Sequence, residues 1–318
     1  MNGIKSMKSK ILSVLLFVMV AGSPLLGQNK HMCFSFDDLP LLNYGIDDTL
    51  YQEVVLNNLI RSLIEYDIPA IGFVNEHKLY SGKKINQFQV RLLTKWIDNG
   101  LELGNHTYSH PDYNKVSFQK FTEDILKGEI ITKEILSQRG KTLHYFRHPF
   151  LHMGNTKSKA DSLDHFLAKH NYITAPITID NDDYLFAVAY HRAFKKGDKA
   201  LMEQISQDYI DYMERKLLYF EMQAEKLFER NISQIVLLHA SLLNSDNLNA
   251  LADLYRKHNY DFVDMDTALK DDAFKTEITV FGDWGISWID RWALSFGKKG
   301  DFFKGEPATP EYIKKLAR

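Results

Sequence analysis

A single cysteine, Cys33, occurs in 318 residues, which excludes any disulfide within the chain and leaves the hydrophobic core to hold the fold. Its neighbours Met32 and Phe34 are apolar. Apolar surroundings raise a thiol pKa, which argues for a small buried hydrophobe and against a nucleophile. Charge of one sign is missing as well: 39 Lys and Arg stand against 41 Asp and Glu, a formal net charge of -2, so no global field draws in nucleic acid. There is no internal repeat, no low-complexity tract and no Pro/Gly-rich linker, and residues 28–318 read as one large domain. With 45% apolar residues, a chain of this length buries a substantial core.

Long apolar runs are also scarce, with one exception near the N-terminus. Lys5, Lys8 and Lys10 precede the run from Ile11 to Val20, and Gly22, Ser23 and Pro24 break it. That order is the layout of a secretory signal, assigned to residues 1–27 with cleavage near Gly27 and Gln28. The run is shorter than the roughly 20 residues a membrane span takes. The expected location is therefore periplasmic or secreted, with no stable membrane span after cleavage; an uncleaved N-terminal anchor is the alternative.

What remains is an alternation of short β-like runs with longer stretches of helical periodicity, which predicts an α/β fold with a mainly parallel sheet. The strands are expected at His31–Phe36, Ala70–Val74, Leu101–Gly104, His144–Phe146, Tyr172–Thr174, Gln234–Leu238 and Phe262–Asp264. Helices are expected near Thr49–Glu65, Asn86–Asn99, Ser117–Ser137, Lys157–His170, Asp198–Glu229 and Asp246–Lys257. The long helix over Asp198–Glu229 carries Ile205, Tyr209, Tyr212, Leu217, Phe220, Ala224 and Phe228 mostly on one face. Core packing explains that stripe, and a partner-binding helix is the alternative. Trp284, Trp288 and Trp292 recur at four-residue spacing, which predicts a helix closing the barrel; lining a sugar groove is the second reading.

Ionisable residues gather at one place. Asp37 and Asp38, His106 and His110, Arg147, Asp183 and His239 all fall just after expected strands, and in barrels of parallel strands that end carries the active site. Scattered charges would not keep to one end of the sheet. His106 and His110, four residues apart, face the same way if they share a helical turn. Alone that spacing fits a surface cap equally well. Two imidazoles make an incomplete metal site, and Asp38 is the natural third ligand. Two His and one carboxylate leave positions open, as a catalytic metal site requires. Adjacent aspartates are commonly caps or turns. Here an apolar run leads straight into them, and adjacent side chains diverge, so one carboxylate serves the metal while the other faces an attacking water. His239 follows the buried-looking run Ile235–Leu238. It reads either as a satisfied core histidine or as an acid able to protonate a departing amine.

In order, Ser35-Phe36-Asp37-Asp38, His106-Thr107-Tyr108-Ser109-His110, Arg147-His148-Pro149-Phe150, Asp180-Asn181-Asp182-Asp183-Tyr184 and Leu237-Leu238-His239 resemble the motifs of the polysaccharide deacetylase family, the NodB-type catalytic domain also called carbohydrate esterase family four. These motifs span roughly residues 31 to 240. The resemblance implies a distorted (β/α) barrel of about seven parallel strands, with a long helical insertion at about 186–230 before the last motif strand. It implies one divalent metal held by Asp38, His106 and His110, usually Zn2+, with Co2+, Ni2+, Mn2+ or Fe2+ as alternatives. Asp37 becomes the general base, oriented and kept ionised by Arg147. His239 becomes the general acid, steadied by Asp183. Leu237 lines the acetyl pocket, Tyr184 stands at the substrate, and the Phe150 N–H joins the metal at the oxyanion.

The implied activity is hydrolysis of N-acetyl groups on a carbohydrate, with an acetylated glycan as partner and no nucleic acid. Three departures bear on the substrate. Leu39 stands where the family more often has Gly, Tyr184 replaces the usual Trp, and Phe186–Arg230 is a long addition expected to form a lid or an altered groove. Two competing readings remain: a metal-dependent amidase or imidase on a small non-sugar C–N bond, and a catalytically inactive carbohydrate-binding barrel. O-acetyl sugars fit the same attack, and the glycan and oligomeric state stay open.

Overall fold

A computed structural model describes residues 30–318, and the expected signal over residues 1–27 lies outside the described residues. The first strand, β1 (Lys30–Leu39), is buried continuously from Met32 to Asp37, the pattern of a parallel strand covered on both faces. α1 (Thr49–Glu65) follows. Its start is set by Asp48, whose carboxylate accepts the N–H groups of Leu50 and Tyr51, and Val55, Leu56, Leu59, Ile60 and Leu63 form its buried stripe. Next come β2 (Ile71–Val74), the small hairpin β3 (Tyr80–Ser81) and β4 (Lys84–Ile85), α2 (Gln87–Asp98), β5 (Glu102–Asn105), α3 (Phe118–Lys127) and α4 (Ile130–Ser137). The chain continues through β6 (Tyr145–Phe146), α5 (Lys157–Lys169), β7 (Ile173–Thr174), α6 (Asp183–Lys196), α7 (Lys199–Phe228), β8 (Gln234–His239) and α8 (Leu242–Lys257). It ends with β9 (Tyr260–Phe262), α9 (Met265–Ala268), α10 (Trp288–Ser295) and α11 (Glu311–Ala317).

Apart from the hairpin, the strands form one all-parallel sheet of seven, in the order β7-β6-β5-β2-β1-β8, with β9 also paired to β1. Beyond β7 the chain runs on to pair Ile179 with Val236 of β8. The curled sheet therefore returns on itself, as a distorted (β/α) barrel does, and every strand delivers its C-terminal end to one rim. The interior is aromatic around β1: Phe34 and Phe36 meet Tyr255, Phe262 and Trp96 edge-to-face at 5.2–5.6 Å. Cys33, on the same strand, lies fully buried, and burial pushes its thiol far above the usual range. Among the described residues no helix is long and apolar enough to cross a membrane.

The structure departs from the sequence-based boundaries at identifiable points. The single helix expected over Ser117–Ser137 is two, α3 and α4, interrupted around Gly128. The backbone of Thr107–Tyr108 crosses there so closely that a Cβ on Gly128 would lie 2.3 Å from the Thr107 carbonyl carbon. The strand expected at Phe262–Asp264 ends at Phe262, because Asp264 instead caps α9 by accepting the Thr267 N–H. α8 begins at Leu242 rather than near Asp246, capped by Ser241. The Phe186–Arg230 addition is not a lid: α7 lies packed against α6, α8 and α10, with Ile205, Tyr209, Tyr212, Leu217, Phe220 and Ala224 buried. Core packing accounts for that stripe and for Trp288 and Trp292. Trp288 and Trp292 are buried in α10, whereas Trp284 precedes the helix, whose start is capped by Ser287. That start docks on the barrel-closing run, through Trp288 N–H to the Ile177 carbonyl at 2.7 Å and Ser287 Oγ to the Thr178 carbonyl at 2.7 Å.

Candidate active site

At the C-terminal rim, β1 delivers Asp37 and Asp38, β5 leads into His106, β6 into Arg147, and β8 ends on His239, which lies in register with Asp37. One ligating atom from each of Asp38, His106 and His110 falls within 4.8 Å of the others. Asp38 Oδ1 is 3.9 Å from Nε2 of both histidines. It is buried yet makes no hydrogen bond, an arrangement that a cation relieves. His106 donates from Nδ1 to the Arg147 carbonyl at 2.8 Å, which leaves Nε2 for a metal. Burial pushes both imidazoles down to about 4, at His110 helped by the neighbouring His106, so both are neutral, the form that ligates. Burial works against the Asp38 carboxylate, but Lys78 and then His106 outweigh it and hold its pKa below the usual range. The donor set thus fits a divalent metal such as Zn2+.

His106 and His110 do not share a helical turn. The segment between them is a tight loop with Thr107 and His110 in left-handed backbone conformation, φ 67° and 57°. Side chains supply the bonds a helix would have made. Asn105 Oδ1 accepts the Thr107 N–H at 2.7 Å, Thr107 Oγ1 accepts the His110 N–H at 3.0 Å, and Asp124 accepts the N–H groups of Tyr108 and Ser109 at 2.9 and 2.8 Å. The rings still meet, with centroids 4.8 Å apart. Asp38, Phe150 and Leu151 are left-handed too. Each such residue costs on the order of 1–3 kcal/mol, and their concentration here marks a place where surrounding contacts override local preference.

Arg147 is fully buried and spends its guanidinium on three acceptors: the Ala175 carbonyl at 2.9 Å, Ser35 Oγ at 3.0 Å and Asp37 Oδ1 at 3.3 Å. The expected Arg147–Asp37 pair forms. Burial nevertheless outweighs it, and the Asp37 carboxyl sits above its usual range. His239 donates from Nδ1 to Asp183 Oδ1 at 2.6 Å, while Asp183 Oδ2 accepts the His239 backbone N–H and Asn244 Nδ2, both at 2.8 Å. Burial disfavours the charged imidazole, but the charge and hydrogen bond of Asp183, followed by Asp38 and Asp37, prevail and raise it to about 9.

Asp37, Asp38, His106, His110 and His239 face a cavity of about 550 Å³ that Leu42, Tyr44, Phe150, His152, Tyr184, Val188, Leu237 and Gly285 also line. Phe150 and Tyr184 present broad aromatic faces to solvent, 53% and 45% exposed. The Phe150 ring covers His110 edge-to-face at 4.4 Å. All the residues singled out from sequence therefore share one rim. Leu39 fills space that the side-chain-free Gly72 leaves, since a Cβ there would lie 1.9 Å from Leu39 Cδ1, so the departure at this position is accommodated in the core. Several supporting residues were not anticipated. Lys78 donates to the Asp38 carbonyl at 2.6 Å, Asn75 to the His106 carbonyl at 2.6 Å, and Asn244 is itself held by Tyr209 at 2.7 Å. Asn75 and Lys78 follow β2 at the same rim and were detectable by the strand-end rule; nothing local marks Asn244.

A family model described as polysaccharide deacetylase matches residues 27–165. No curated protein matches the sequence. Among solved structures, a polysaccharide deacetylase from Bacillus cereus has the same fold, with a TM-score of 0.50 at 15% identity over 74% of this chain and 91% of that one. A family 4 carbohydrate esterase from Bacillus anthracis gives 0.45 at 20% identity, over 77% and 85% of the two chains. A CE4 family pseudoenzyme from Bacillus anthracis gives 0.47 at 14%, over 76% and 66%. Over residues 27–165, this chain is similar to the polysaccharide deacetylase family.

Proposed function

We propose that the protein is an exported, metal-dependent hydrolase that removes N-acetyl groups from a carbohydrate. The observation that carries this reading is the convergence of Asp38, His106 and His110, with the buried Asp38 Oδ1 left without a hydrogen bond. Export is supported by the basic and apolar order of residues 5–20. A sugar is supported by the exposed faces of Phe150 and Tyr184 beside the cavity, which suit the apolar face of a pyranose ring.

A divalent cation held by Asp38, His106 and His110 supplies a Lewis acid for the acyl carbonyl. Asp37 takes the proton of the attacking water. Its raised pKa makes it a stronger base than an exposed aspartate, and its hydrogen bond to Arg147 fixes its direction. The Phe150 N–H lends a donor to the developing oxyanion, and Leu237 bounds the space for the acetyl methyl. His239, cationic near neutral pH and aligned by Asp183, delivers its proton to the departing sugar nitrogen. Acetate and a free amine result.

The test is acetate release from N-acetylglucosamine oligomers, using protein stripped of metal and then reconstituted with Zn2+ or Co2+. Turnover that returns with metal supports the reading. Absence of turnover on every N-acetyl glycan with every divalent ion overturns it.

A further inference from the structure

The matched family segment ends at residue 165, yet the C-terminal segment reaches the cavity at Gly285. There it meets the turn at Phe150 and Leu151, two consecutive non-glycine residues in left-handed conformation, φ 57° and 55°. Such a turn needs outside support. Arg291, on α10 and only 1% exposed, donates from Nη2 to the Leu151 carbonyl at 2.8 Å and to the Trp284 carbonyl at 3.1 Å. One buried guanidinium group thus ties the turn to the strand of chain that passes over it. Burial lowers the Arg291 pKa, against Asp180 and Asp290, to about 10. It stays cationic at neutral pH, and these are charge-assisted bonds.

Gly285 completes the contact. A Cβ on it would stand 1.9 Å from the Phe150 carbonyl oxygen and 3.3 Å from His152 Cδ2. Its own backbone is not left-handed, so its φ does not call for glycine. Only the Phe150 carbonyl demands glycine.

We infer that Arg291 and Gly285 are positioning residues of the deacetylation site: together they set where the Phe150 N–H and ring stand beside His110. The catalytic part of this inference rests on the proposed function. The placement does not, because the Phe150 ring lies 4.4 Å from the His110 ring, and its ring current marks the His110 proton resonances.

The experiment compares Gly285→Ala, Arg291→Met and Arg291→Lys with the parent protein. Gly285→Ala and Arg291→Met are expected to lower kcat on N-acetylglucosamine oligomers by about 10- to 100-fold, less than the roughly 100- to 1,000-fold for removing one oxyanion donor outright. The Zn2+ affinity, read by calorimetry, stays near the parent's value, KM rises as the Phe150 face is displaced, and Arg291→Lys restores part of kcat. In histidine-labelled protein the His110 ring protons shift in Gly285→Ala while those of His239 stay. If Arg291→Met does not fold, Gly285→Ala carries the test. Gly285→Ala with parental kcat, or with an unmoved His110 resonance, overturns the inference. A parent protein inactive on all N-acetyl glycans overturns the functional reading instead, and the His110 resonance still reports the placement.

Discussion

Replacing Asp183 by Asn tests the acid role of His239 most directly. The substitution keeps the shape of a buried side chain and removes its charge 2.6 Å from Nδ1. His239 stands at about 9 against an ordinary value of 6.5, a difference worth about 3 kcal/mol. Without Asp183, burial is opposed only by Asp37 and Asp38, and the imidazole falls to 6.5 or below. At pH 8 the protonated fraction then drops about thirtyfold, and kcat falls with it.

The sign for stability follows from the same numbers. A folded-state pKa above the unfolded one contributes stability that is fully present below pH 6.5 and is lost as pH rises through about 9. The melting-temperature gap between parent and Asp183→Asn should therefore be widest at acid pH and narrow across that window. What remains above it is the loss of the bonds to the His239 N–H and Asn244. The assays are a pH–rate profile from 5.5 to 10 and thermal melts at the same pH values. An alkaline limb that does not move in Asp183→Asn refutes the reasoning.

Other substitutions separate the remaining roles. Asp37→Asn should abolish nearly all turnover while Zn2+ binding by calorimetry is retained, because the base goes and the ligand set stays. His106→Ala should lose Zn2+ affinity by at least tenfold and turnover with it; unchanged binding would remove it from the ligand set. His239→Ala should slow amide cleavage more than cleavage of an activated ester, whose leaving group hardly needs a proton, and equal losses would argue against the acid. Gly128→Ala drives a Cβ against the Thr107 backbone. It should cost about 1–3 kcal/mol in denaturant melts and weaken metal binding by shifting His106 and His110.

The barrel was readable because its strands announce themselves. Met32–Phe36 is apolar but for Ser35 and Ile235–Leu238 is apolar throughout, and each is followed by chemistry at the rim. The convergence of Asp38, His106 and His110 followed from the same rule, since a parallel sheet brings all its C-terminal ends together. What stayed hidden depends on distant partners. The loop from His106 to His110 reads as a helical turn until Asp124, on α3, is seen to take its N–H groups. α6 was not drawn as a separate helix within the insertion expected at about 186–230, because alanines, Ala187, Ala189 and Ala193, supply three of its seven buried residues, leaving little apolar contrast along the helix. The balance at Asp37 was half legible for a related reason: the Arg147 partner is visible as a motif, whereas burial of the carboxyl, which raises its pKa, emerges only when the barrel closes around it.

Cys33, sealed in the middle of β1, makes the protein its own unfolding gauge. Thiol reagents added to the native protein find nothing to modify, so the rate at which they label the chain counts openings of the central strand. The same inertness leaves any cysteine introduced at the rim as the sole target for a spectroscopic tag.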